Sequence, residues 1–116
     1  MGYIRHNAII VTTWNEARMG AAVDQAYAIG LKIIGPSAEA INGYQTMVIV
    51  PDGSNEGWDE SDVGDVKRQD FRDWLDTHIN GDGSSSYEWV EIAYGNDDHA
   101  AEVVDSHWKR NPVIGP

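Results

Sequence analysis

Thr12, Thr13, Trp14 and Asn15 bring together two hydroxyl groups, an indole ring and a side chain that can cap a helix. Asn is a preferred N-cap residue, and the first N–H groups of a helix attract phosphate and carboxylate groups. An indole can stack on a nucleobase. This segment predicts a site for a small anion, which Arg5 or other cations could complete: Lys32, Lys67, Arg68 and Arg72. The alternative is an ordinary helix cap beside a core tryptophan.

A second group of aromatic side chains lies on the strand predicted at residues 87–94. Alternate side chains of a strand point to opposite faces. Assigning Val90 and Ile92 to the face covered by helices places Tyr87 and Trp89 on the open face. Large aromatic side chains are costly to expose to water. We therefore expect a ligand, a second copy of the chain or a C-terminal strand carrying Trp108 to cover them.

The other residues with reactive side chains form no recognisable site. The chain has no cysteine, which excludes thiolate catalysis and cysteine zinc sites. Its histidines lack the spacing of known metal motifs, and the serines at 84–86 lack the surroundings of a nucleophile. The sequence predicts no catalytic residue, metal site or cofactor, so a binding protein is favoured over an enzyme.

The elements that must position these residues begin with a strand at residues 4–13. A helix follows from Asn15 to Gly30, with an apolar stripe at three- and four-residue steps: Met19, Ala22, Val23, Ala26 and Tyr27. Asn42-Gly43 is a strong hairpin signal between residues 32–41 and 44–50. We expect Pro36 to confine the first arm to the edge of the sheet.

Residues 52–65 hold six acidic residues and no basic one, and we expect them to form a loop. A second helix is predicted from Asp62 or Asp65 to Asn80, followed by strands at 87–94 and 101–108. The order βαββαβ, with an extra C-terminal strand, is typical of a ferredoxin-like split βαβ fold in the α+β class. We expect one domain at residues 1–110, with two helices on one face of an antiparallel sheet, and a flexible tail at 111–116.

Charge and hydropathy limit the partners. A formal net charge of −11 opposes direct binding to nucleic acid, because such binding requires neutralisation of phosphates. The same charge favours a basic protein partner. No apolar run is long enough to span a membrane, and the absence of cysteine fits a reducing compartment. A cytoplasmic protein is therefore expected.

Several strings resemble small bacteriophage proteins, especially those of phages that infect actinobacteria. They are GYIRHNAIIVT at residues 2–12, NGY at 42–44, PDGSNEGW at 51–58, DWLD at 73–76 and WVE at 89–91. The resemblance implies expression in a host cytoplasm and antagonism of host defence. We expect an oligomeric, non-enzymatic protein that sequesters a small anionic, nucleotide-derived immune signal through Arg5, residues 12–15, Tyr87 and Trp89. The alternatives are an acidic inhibitor of a host defence protein, which mimics nucleic acid, and a small nucleotide hydrolase.

Overall fold

The computed structural model describes residues 5–53, 58–95 and 100–110. Within these ranges the strands and helices are β1 (Arg5–Thr13), α1 (Glu16–Ile29), β2 (Ile33–Ile34), β3 (Gln45–Ile49), α2 (Asp59–Asp76), β4 (Glu88–Gly95), β5 (Glu102–Ser106) and α3 (His107–Arg110). The predicted tail at 111–116 and residues 54–57 of the predicted acidic loop lie outside the described residues. None of the helices in these ranges is long and apolar enough to cross a membrane.

The strands form one antiparallel sheet in the order β2-β3-β1-β4-β5. The α+β class and the antiparallel sheet are thus confirmed. A single core cluster joins α1 and α2 to the same face of this sheet. Val11 at the centre of β1 pairs with Met47 on β3 and with Trp89 on β4, and all three side chains are buried.

Helix α1 begins and ends where the sequence predicts. Asn15 adopts an extended backbone, and its Oδ1 accepts hydrogen bonds from the N–H groups of Ala17 and Arg18. Gly30 ends the helix at φ 94°, a left-handed conformation that glycine adopts without steric cost. Of the predicted apolar stripe, Tyr27 is exposed, because it lies at the margin of the face that packs on the sheet.

Four predicted boundaries are wrong. Helix α2 begins at Asp59 rather than at Asp62 or Asp65 and ends at Asp76 rather than at Asn80, so the predicted acidic loop beyond residue 58 is helical. Carboxylates in the first turn favour this earlier start, because they interact with the positive end of the helix dipole. Strand β2 has only two residues, since Gly35 and Pro36 interrupt it, and β5 ends at Ser106, where α3 follows.

The predicted orientation of β4 is also wrong. Tyr87 and Trp89 face the helices and are 1% and 2% exposed, whereas Val90 and Ile92 lie half-buried on the opposite face. The Tyr87 hydroxyl donates to the carbonyl of Arg18 at 2.7 Å, so its polar tip has a partner inside the core. The open face therefore carries aliphatic side chains at its centre. Strand β5 does not fold over that face but pairs with β4 at the sheet edge.

Candidate functional site

A small cavity lies where the end of β1 meets the segment that leads into β4. Its volume is about 200 Å³, and its lining is polar apart from aromatic rings. The lining residues are Thr12, Thr13, Trp14, Tyr44, Asn80, Ser84, Ser85, Ser86 and Glu88. Three residues of the predicted site, Thr12, Thr13 and Trp14, thus line one cavity. We refer to it as the Trp14 cavity.

Trp14 is 51% exposed, although most tryptophans are largely buried. The guanidinium of Arg18 lies over its ring, with Cζ 4.9 Å from the ring centroid. Trp14 lies two positions before α1, and Arg18 lies in the first turn of that helix. The side chain of Arg18 therefore extends back over the segment that precedes the helix and contacts the Trp14 ring. The indole therefore has one face under a cation and belongs to the lining of the cavity.

Arg18 was not among the cations proposed from the sequence, yet it is the cation that the fold brings to this segment. Its Nη1 atom is buried and has no hydrogen-bond partner among the described residues. The other four arginines each form an ion pair with a carboxylate. Because Nη1 is buried, an anion would have to approach the other nitrogens of Arg18, whose charge no carboxylate among the described residues neutralises.

The remaining predicted site residues do not join the Trp14 cavity. Arg5 lies at the far end of β1, about 23 Å from Thr12 at ~3.3 Å per residue, and forms an ion pair with Glu102. Tyr87 and Trp89 lie in the core. Asn15 uses its side-chain oxygen to cap the helix, and this bond occupies two of the N–H groups that an anion would need.

Tyr87 nevertheless connects the site to the core. Its ring lies 5.5 Å from the Trp74 ring and 5.7 Å from the His78 ring. Burial raises the pKa of its hydroxyl, although the nearby charge of Arg18 opposes this increase. The hydroxyl therefore stays protonated and keeps its hydrogen bond to the first turns of α1. Tyr87 is a positioning residue for the helix that carries Arg18.

A larger cavity of about 470 Å³ lies between α2 and the sheet, and Arg68, Arg72 and Glu91 line it. Arg72 Nη1 donates to Glu91 Oε1 at 2.7 Å, and Arg68 also pairs with Glu91. Asn7 donates to the second carboxylate oxygen at 2.9 Å. Because its charged groups pair with one another, although Arg72 Nε has no hydrogen-bond partner among the described residues, we interpret this cluster as a structural ion-pair network.

No family model, curated protein or solved structure matches this chain. Within the described ranges, no cluster of three or more His, Asp or Glu residues could hold a metal ion. The function must therefore be inferred from the Trp14 cavity and from the cation beside it.

Proposed function

We propose that the protein binds a small anionic, nucleotide-like ligand at the Trp14 cavity and releases it unchanged. The observation that carries this proposal is the contact of an exposed indole with an arginine that forms no ion pair among the described residues. Base–aromatic stacking and a charge-assisted hydrogen bond to phosphate are the two interactions that such a pair offers. Both would act on the same ligand, because Trp14 and Arg18 are in contact.

The size of the cavity determines how much of the ligand it holds. Pockets for drug-sized molecules usually measure about 300 to 1,000 Å³, whereas this one measures about 200 Å³. It could hold the base of a nucleotide but not the whole ligand. The rest of the ligand would lie on the exposed face of Trp14, where Arg18 can reach a phosphate.

Replacing Trp14 with alanine is expected to weaken ligand binding by roughly 5- to 150-fold, because stacking contributes about 1 to 3 kcal/mol per base. Arg18→Gln should weaken it further through loss of charge. Arg5→Gln is the matched control, since Arg5 lies at the other end of β1. Isothermal titration calorimetry with cyclic nucleotides and ADP-ribose derivatives measures these affinities.

Failure of every nucleotide in that panel to bind the wild-type protein would exclude the proposal. An effect of Arg5→Gln as large as that of Arg18→Gln would place the site elsewhere. Chromatography of the ligand recovered after heat denaturation separates a binding protein from a nucleotide hydrolase. The binding proposal requires intact ligand.

An acidic surface on α2 favours a second candidate function, the inhibition of a basic host protein. Asp59, Glu60 and Asp62 are exposed in the first turns of α2, and Val63 beside them is 53% exposed. Asp52 and Asp65 contribute less, because both pair with Arg68. Neutralising the three exposed acids should abolish partner binding under this candidate and leave nucleotide affinity unchanged under the first.

We further propose that the fold is a ferredoxin-like split βαβ layer extended by one strand. The connections β1-α1-β2 and β3-α2-β4 each join parallel strands that flank a third strand. Strand β5 is the difference from the four-stranded pattern. From the resemblance of the sequence to phage proteins, we propose that the protein acts in a host cytoplasm, where it would sequester an immune signal.

The open face of the sheet supports a homodimer as the working form. By strand alternation it carries Ile10, Val48, Val90 and Ile92, with no charged side chain at its centre. The five strands contain 29 residues, which at ~3.3 Å per residue and ~4.8 Å between strands give a face of about 460 Å². Standard interfaces bury about 800 Å² per partner. In a chain of net charge −11, an uncharged face is the region where a second copy meets least repulsion.

Val103→Asp is expected to weaken such a dimer at least about tenfold, because it introduces an unpaired charge into an apolar interface. Val103 pairs with Ile92 on the open face and is 50% exposed, so the change should cost little stability in the monomer. Val63→Asp is the control, since Val63 is equally exposed on α2. Sedimentation equilibrium that shows a wild-type monomer at all concentrations would contradict the dimer.

A further inference from the structure

The hydrogen-bond donors that line the Trp14 cavity are mostly used within the protein. Thr13 Oγ1 donates to the carbonyl of Ser86 at 3.0 Å, and Ser85 Oγ donates to that of Tyr87 at 2.6 Å. Ser86 Oγ donates to Asn80 Oδ1 at 2.9 Å. Asn80 Nδ2 donates both of its hydrogens inside the same loop, to Ser84 Oγ and to the carbonyl of Ser85.

The remaining hydrogen-bonding capacity of the lining consists of two donors, the Trp14 indole N–H and the Tyr44 hydroxyl, and of a larger number of acceptors. A hydroxyl that has donated its hydrogen still offers lone pairs. Glu88 adds a carboxylate that has no hydrogen bond or ion pair among the described residues. Glu88 sits directly across from Thr12 in the β1–β4 register, so it lies on the same face as that hydroxyl. The lining therefore complements a ligand edge that donates hydrogen bonds.

We propose that Glu88 makes the cavity selective for guanine, an inference that rests on the proposed nucleotide-binding function. The Watson–Crick edge of guanine carries two adjacent donors, N1–H and the 2-amino group. A carboxylate accepts two parallel hydrogen bonds from such a pair. Adenine presents an acceptor at N1, which would face the carboxylate without a hydrogen. Reading this edge requires an unpaired base, as in a free nucleotide.

The same distribution of charge orients the ligand. A phosphate placed in the cavity would meet acceptor lone pairs and the carboxylate of Glu88. Outside it, the positive charge of the Arg18 guanidinium lies over the Trp14 ring. The base therefore enters the cavity, and the phosphate remains at the entrance near Arg18.

Isothermal titration calorimetry with guanosine, inosine, adenosine and 2′-deoxyguanosine 5′-monophosphates tests this inference. Inosine lacks only the 2-amino group, and a hydrogen bond to a charged group is worth roughly a ten- to hundredfold change in affinity. We expect the guanosine nucleotide to bind at least about tenfold more tightly than the inosine and adenosine nucleotides. Its 2′-deoxy form should bind equally well.

The Glu88→Gln variant should lose the preference for guanine over inosine and bind the adenosine nucleotide more tightly than the wild type does, because its amide N–H can donate to adenine N1. Glu88 is exposed, so this change should not impair folding, and circular dichroism checks that it does not. Glu60→Gln is the matched control, since Glu60 is an exposed carboxylate on α2.

Three outcomes would overturn the inference and leave the proposed function intact. One is equal affinity for the guanosine and adenosine nucleotides. Another is a guanine preference that survives Glu88→Gln. A large loss for the 2′-deoxy nucleotide would identify the ribose diol as the donor pair and would likewise overturn it. Absence of binding by all four nucleotides would overturn the proposed function as well.

Discussion

Replacing Glu91 with alanine is expected to lower the free energy of unfolding by about 3 to 5 kcal/mol. Glu91 is 2% exposed and lies within an ion-pair network that includes Arg68 and Arg72. Without the carboxylate, two largely buried guanidinium groups lose their shared partner. The cost of an uncompensated buried charge then falls on the folded state.

A surface ion pair provides the control for this prediction. Arg5 and Glu102 form an ion pair in which the Glu102 side chain is 60% exposed. Exposed pairs contribute about 0 to 1 kcal/mol, so Glu102→Ala should change stability by no more than that. Urea unfolding followed by circular dichroism measures both variants. A Glu91→Ala loss as small as that of Glu102→Ala would show that the network is not a structural requirement.

Glu91→Gln separates charge from hydrogen bonding in the same network. Glutamine keeps the shape of the side chain and can still accept from Arg72 at one oxygen, but it cannot balance two guanidinium charges. We expect a loss of stability between that of Glu91→Ala and the wild type. The other carboxylate near Arg72 is Asp105, at 3.8 Å from Nε, which is too far for a hydrogen bond to replace the missing one.

The elements that the sequence predicts well are those with local signals. Asn15 and Gly30 set the limits of α1, because capping depends on residues within one helical turn. Asn42 and Gly43 both adopt positive φ values, as the hairpin signal requires. The shortness of β2 also has a local cause, because Gly35 and Pro36 interrupt the strand directly after Ile34.

The face of β4 could not be decided from its own residues. Each face offers two or three apolar side chains and one glutamate, so alternation alone leaves both orientations open. The informative signal lies on α2, where the buried positions recur at three- and four-residue steps: Ser61, Gly64, Arg68, Phe71 and Leu75. Arg68 falls within this apolar stripe. A buried cation requires a carboxylate opposite, and Glu91 supplies it.

The candidate site was predicted only in the part that is continuous in sequence. Thr12, Thr13 and Trp14 follow one another, so the end of β1 presents them together. Asn80 and the serines at 84–86 reach the same cavity through the fold, and no pattern near Trp14 points to them. Arg18 could have been found, because it lies four residues after Trp14 at the start of a predicted helix.

The two tryptophans that the sequence assigned to one site should behave in opposite ways. Trp89→Ala is expected to lower the free energy of unfolding by about 3 to 5 kcal/mol, the usual cost of removing a buried aromatic side chain. Trp89 packs in the core with Val11 and Met47. Trp14→Ala removes the same atoms from an exposed position and should cost less than about 1 kcal/mol, the value of an exposed cation–π contact.

The effects of the two variants on nucleotide affinity should rank in the opposite order to their effects on stability. This comparison identifies which indole belongs to the site. Trp14→Ala should lose nucleotide affinity while remaining folded. If Trp89→Ala does not fold, Trp89→Phe replaces it, since phenylalanine keeps a ring in the core and removes the indole N–H, which has no partner among the described residues. That variant should bind nucleotide as the wild type does. Loss of binding in folded Trp89→Phe, with Trp14→Ala unchanged, would show that the ligand depends on the core ring and that Trp14 is only a surface residue.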